Sequence, residues 1–187
     1  MVISAEEFRK RWDEPTIRLN EDFLEGVPLS EQDRIFLLNV GFPEEAAPFL
    51  SFDDFKVELK PIHEKWGSPY DYSDEEKSRL RPYMVIGSDG AGNPIAIDTG
   101  NNCEIVHLDH DDWFNTVTFV NSSISNFALF LLLTKEMMEK ANSELSEEEL
   151  EDEIPESYKN EVLNSMQQID PKAMEEGKFW RAEVGML

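Results

Sequence analysis

The sequence predicts an α+β fold, a single domain over residues 1–187 with a central antiparallel meander of about four to six strands flanked by helices. Three observations predict it. From Tyr83 to Val120, short β-prone runs alternate with turn chemistry. At Asn121-Ser122-Ser123 the hydrophobic period changes, and Phe127, Leu131 and Met138 then recur at helical spacing. Elsewhere the chain carries paired helix start and stop signals.

The meander can be read turn by turn. Met84-Val85-Ile86 and Ile95-Ala96-Ile97 flank Ser88-Asp89-Gly90-Ala91-Gly92-Asn93-Pro94, whose Asp-Gly and Gly-Asn steps favour a hairpin and whose proline cannot donate to a ladder. Thr99-Gly100-Asn101-Asn102 leads into a third strand, Glu104 to Leu108. The acidic turn Asp109-His110-Asp111-Asp112 then separates it from a fourth, Trp113 to Val120. Asn121-Ser122-Ser123 offers three N-cap side chains for a helix over Ser123 to Lys140. The unbroken apolar run from Phe127 to Leu133 is far short of the roughly 20 residues that span a bilayer, so this is a core helix.

Around this unit the signals are mainly helical. Ser4-Ala5-Glu6-Glu7 has the capping-box pattern, with Phe8 and Trp12 one turn apart behind it. Pro28-Leu29-Ser30-Glu31 opens a second helix, which stops near Gly41-Phe42-Pro43. Phe49-Leu50 and Phe55 to Leu59 suit edge strands, and Ser73-Asp74-Glu75-Glu76 starts another helix. The region from about 141 is acidic and helical. Glu144 to Glu156 holds eight acids and no base, with a capped helix expected from Ser146, a break at Pro155, a helix over Glu156 to Gln168 and a closing segment from Ile169-Asp170-Pro171.

Charge narrows the choice of partners. Forty acids against 17 bases give a net charge of −23, and residues 83–134 contain six acids and no lysine or arginine. Such a surface repels nucleic acid and anionic membranes, and speeds encounter with a basic protein. High charge also serves solubility alone. One cysteine, Cys103, excludes an internal disulfide, and the first residues lack the basic and apolar regions of a signal peptide. Both point to the cytoplasm.

The residue clusters supply no catalytic machinery. His107, Asp109, His110, Asp111 and Asp112 are metal-ligand types, but their spacing splits them between a strand face and a turn, and the reading preferred is a solvated acidic turn. Gly87 to Asn93 lacks the Lys-Ser/Thr of a phosphate loop and precedes a strand. Ser122 and Ser123 sit in no nucleophile elbow, and Cys103 has no basic neighbour in sequence. No cofactor or metal site is expected. Trp113 fits two roles, a core residue at the start of a strand or an aromatic anchor rimmed by charge.

The order of these marks resembles one known family. A hairpin ending in Ile97-Asp98, a strand with an acidic turn, a Trp-containing strand and Asn121-Ser122-Ser123 leading into Phe127-x-x-Phe130-Leu131 are similar to the SUKH superfamily, the Syd and Knr4-related domains common as bacterial immunity proteins. Leu37-Leu38-Asn39-Val40-Gly41-Phe42-Pro43 resembles the Leu-x-x-Val-Gly-hydrophobic-Pro turn of one immunity subgroup, and Phe179-Trp180 its terminal aromatic. The superfamily's Asn-Gly-Gly is replaced here by Asn39-Val40-Gly41. The resemblance implies a non-enzymatic protein that binds and neutralises a cognate toxin, such as a nuclease, by occlusion. Its acidic loops, Asp109, Asp111 and Asp112 with Asp53 and Asp54, would dock on a basic cleft, with Trp113 as anchor. The alternative is a regulatory or scaffolding module that binds a host protein or small ligand.

Overall fold

A computed structural model describes residues 3–52, 59–66, 72–146 and 154–187. Its helices among the described residues are α1 (Ala5–Trp12), α2 (Glu31–Asn39), α3 (Ile62–Lys65), α4 (Asp74–Leu80), α5 (Ile124–Glu144), α6 (Glu156–Ile169) and α7 (Phe179–Gly185). The strands are β1 (Glu45–Ala46), β2 (Leu50–Ser51), β3 (Lys60–Pro61), β4 (Tyr83–Ser88), β5 (Pro94–Asp98), β6 (Glu104–Leu108) and β7 (Val117–Asn121). They form one antiparallel sheet ordered β1-β2-β4-β5-β6-β7, with β3 sharing the outer edge of β4. The α+β meander expected from the turns is present. Its strand number exceeds four to six because β1, β2 and β3 are two-residue pieces, too short to leave a period in the sequence.

Both sheet faces are covered, which is why β4 and β5 read as unbroken apolar runs rather than alternating ones. Met84, Ile86, Ile95, Ile97 and Ile105 join the large core under α5. Val85, Ala96, Val106 and Leu108 face a smaller cluster with Ile62, Leu80 and Phe114. Strand β7 begins at Val117 rather than at Trp113, because residues 109–116 close into a turn with left-handed backbone at Trp113 (φ 64°) and Phe114 (φ 61°).

The predicted caps are realised. Ser4, Ser30 and Ser73 accept from the backbone N–H three residues on, and Glu76 returns the second half of the box at Ser73. Phe8 stacks on Trp12 at 5.7 Å. Helix α2 stops where expected, and Gly41 explains why: at φ +72°, any Cβ there would lie 1.7 Å from the Ile17 carbonyl oxygen. That closeness lets Ile17 and Phe42 exchange backbone hydrogen bonds. The edge strand expected over Phe55 to Leu59 and the helix expected from Ser146 fall mostly outside the described residues.

A buried carboxylate helps tie the chain after α5 to the sheet. Asp170 accepts from the Ser122 backbone N–H at 2.7 Å, the Ser122 hydroxyl at 2.8 Å, and the side-chain amides of Asn121 and Asn126 at 3.2 and 3.3 Å. Of the three possible caps, only Ser123 caps α5; Asn121 and Ser122 hold Asp170. No described helix is long and apolar enough to cross a membrane.

Candidate interaction surface

The β4–β5 and β6–β7 turns lie side by side at one end of the sheet, because alternate turns of an antiparallel meander fall at the same end. Each is built by a carboxylate. Asp89 accepts from the backbone N–H of Ala91 and Asn93 and from the Asn93 side chain, at 2.8–3.0 Å. Asp112 accepts from the Asn115 and Thr116 backbone N–H, both at 2.9 Å, and from the Thr116 hydroxyl. Asp109 accepts from Asp111 N–H at 2.9 Å. At Asp89 and Asp109 these are Asx turns, in which a short carboxylate mimics a backbone acceptor, whereas Asp112 reaches the N–H groups three and four residues on.

Cross-links fuse the two turns. The Asn93 side-chain oxygen lies 3.0 Å from His110 N and 2.7 Å from His110 Nδ1, while His107 Nε2 is 2.8 Å from Asp89 Oδ2. Burial opposes ionisation of Asp89, but the bonds from Asn93 and His107 outweigh it and hold the carboxyl below its ordinary range. Hydrogen bonding from Thr116 lowers Asp112 likewise. Glu183 on α7 moves the other way, raised by burial and by the nearby Asp89 charge.

Arg79 on α4 fixes what the turn displays. Its guanidinium donates to the carbonyls of Phe114 at 2.7 Å and Trp113 at 3.1 Å. Phe114 is thereby buried against Trp66, and Trp113 is turned outward, 53% exposed. Trp113 is thus a surface residue rather than core at a strand start. Beside it the Asp111 side chain is 88% exposed, whereas Asp109 and Asp112 are half-buried in the turn they build. Trp66, Ala91, His110 and Trp113 border a concavity of about 400 Å³.

The remaining candidates separate. His107 and His110 point to Asp89 and Asn93, so residues 107–112 do not converge on a common point. Asp13, Glu14 and Glu139 do converge, but around the Lys135 ammonium; burial lowers that group's pKa, and the carboxylates more than reverse this and raise it. Cys103 is buried, with its thiol pKa pushed up by desolvation. Asp53 and Asp54 lie outside the described residues. Sequence reasoning missed Arg79, which reaches its carbonyls from more than 30 residues away and leaves no local signal. It also missed Phe49, placed among strand residues yet 72% exposed at φ +71° in the β1–β2 turn.

A family model described as SUKH-4 immunity protein matches residues 4–185. The chain belongs to the SUKH-4 immunity protein family. No curated protein and no solved structure matches it. In SUKH-4 terms, the match spans the capped α1, the Gly41 turn, the meander, the Asp170 tie and the Phe179-Trp180 pair.

Proposed function

We propose that this SUKH-4 protein neutralises a cognate bacterial toxin by occlusion, without chemistry of its own. The acidic turn covers a basic active-site cleft such as that of a nuclease, and Trp113 enters the cleft as the anchor. The observation that carries this reading is the pairing of an outward-facing Trp113 with the exposed Asp111 on a turn pinned by Arg79. A rigid aromatic rimmed by charge is the usual form of an interface hot spot, since the ring supplies area at low entropic cost and the charges steer approach. Membership of an immunity family supports the toxin as partner. The net charge of −23 supports a basic one.

The test is growth protection. The full chain is co-expressed with a candidate toxin domain, sought first among the genes neighbouring its own, and survival is compared with that of cells expressing the toxin alone. Protection by the native chain, weakened by Trp113→Ala and Asp111→Lys, is the expected result. Protection equal in all three would move the interface off this turn. An absence of protection, with no binding between the purified proteins, would favour the regulatory or scaffolding alternative.

A further inference from the structure

Across the β4–β5 turn from Trp113 lies a second concavity, a groove of about 650 Å³ between the β1–β2 hairpin and α5. Its walls include Ala46, Pro48, Leu50 and Met138, and Phe49 stands at its edge. Large side chains seldom adopt φ > 0, and seldom leave most of an aromatic surface in water. Phe49 does both, and the Cβ that Gly90 lacks would lie 3.2 Å from the Phe49 Cβ, so the exposed ring is seated directly against the β4–β5 turn.

The rim is acidic. Glu14, Glu45, Asp89 and Glu139 line the groove against one base, Lys135, whose charge is already met by Asp13, Glu14 and Glu139. Apolar walls whose rim carries four carboxylates to one ammonium select for an apolar side chain carried between cations. A second copy of the chain fits poorly, because it brings another −23 charge to an acidic rim.

We propose that this groove receives a basic segment of the protein partner, which lays an apolar side chain against Phe49 while flanking lysines or arginines meet the exposed Glu45 and the net negative rim beside it. The inference rests on the toxin-binding reading above and extends it: Phe49 and Trp113 become two aromatic anchors on either side of the β4–β5 turn, and the partner contacts both.

The probe is a short synthetic peptide alternating lysine and leucine, with a lysine–serine and a glutamate–leucine peptide as controls, each titrated into the full chain by fluorescence anisotropy. The lysine–leucine peptide should bind, and Phe49→Ala should weaken it at least about tenfold, the effect of losing one anchor worth about 1.4 kcal/mol. Glu45→Lys, an exposed edge change that leaves the core intact, should also weaken it and flatten its salt dependence. Equal binding of either control peptide, or binding indifferent to both substitutions, overturns the proposal. So does concentration-dependent dimerisation that Phe49→Ala abolishes. The two readings fail separately. If toxin protection survives Phe49→Ala but not Asp111→Lys and the peptide does not bind, the groove is refuted and the turn stands. If the peptide binds at the groove but the toxin is neither bound nor blocked, the toxin reading is refuted.

Discussion

The indole N–H of Trp180 donates to the side-chain oxygen of Asn121 at 2.7 Å, and both residues are fully buried. Asn121 ends β7, and its amide passes the contact on to Asp170. The last strand of the meander and the C-terminal helices are thus joined by side-chain hydrogen bonds inside the core, where a lost partner is not replaced by water.

Asp170→Ala should therefore be among the more damaging single changes. It orphans donors of Asn121, Ser122 and Asn126, and at about 1–3 kcal/mol for a buried unsatisfied group the loss should reach on the order of 3 kcal/mol. Urea unfolding followed by circular dichroism measures it. Trp180→Phe, which removes only the donor to Asn121, should cost less.

Leu131 tests the packing of α5 on the sheet. It is 1% exposed, and Leu131→Ala should lower stability by roughly 2–5 kcal/mol, as cavities in well-packed cores do. A loss within the error of the unfolding curve would mean that this helix face is not core.

Local chemistry wrote the meander and its helices into the sequence, and long-range geometry wrote the surface. Ser4, Ser30 and Ser73 act within three residues, so their caps are legible as patterns. The Asp-Gly and Gly-Asn turn of β4–β5 is equally local. Asn121-Ser122-Ser123 was legible only in part, since the partner of the first two is nearly 50 residues away. Trp113 illustrates the limit. Its neighbours suggest a strand, but Arg79, reaching over from α4, holds the backbone in a turn and leaves the ring outside. Asp111 stayed a surface charge as read, while Asp109 and Asp112 proved to be turn-builders.

The fused turns should respond to acid in a defined direction. Because the folded Asp89 carboxyl titrates below its ordinary value of about 3.9, its ionised form is favoured by folding, and that stability is complete above this value. It disappears as pH falls through the lower folded value. The stability gap between the native chain and Asp89→Asn should accordingly be present at about pH 5 and close below about pH 4. Urea midpoints across that range measure it, and a gap that widened in acid would reverse the assignment.

Arg79→Ala should loosen the display of Trp113 without unfolding the sheet. Two charge-assisted hydrogen bonds to carbonyls are lost, for about 1–3 kcal/mol. Backbone amides of residues 113–116 should exchange faster, while those of β5 keep their protection. Hydrogen exchange resolves the two regions.

The central claim is that the acidic turn recruits and anchors a basic partner, and stopped-flow association with the cognate toxin domain tests it most directly. Rates are compared for the native chain, Asp111→Lys and Trp113→Ala, as salt rises and the Debye length falls from about 30 Å to about 8 Å. Asp111→Lys should slow association severalfold at low salt, with the difference shrinking at high salt and the off-rate little changed. Trp113→Ala should instead raise the off-rate by about tenfold or more, as loss of a hot-spot aromatic does. Native kinetics in both variants at low salt would contradict the account and place the interface on another face of the molecule.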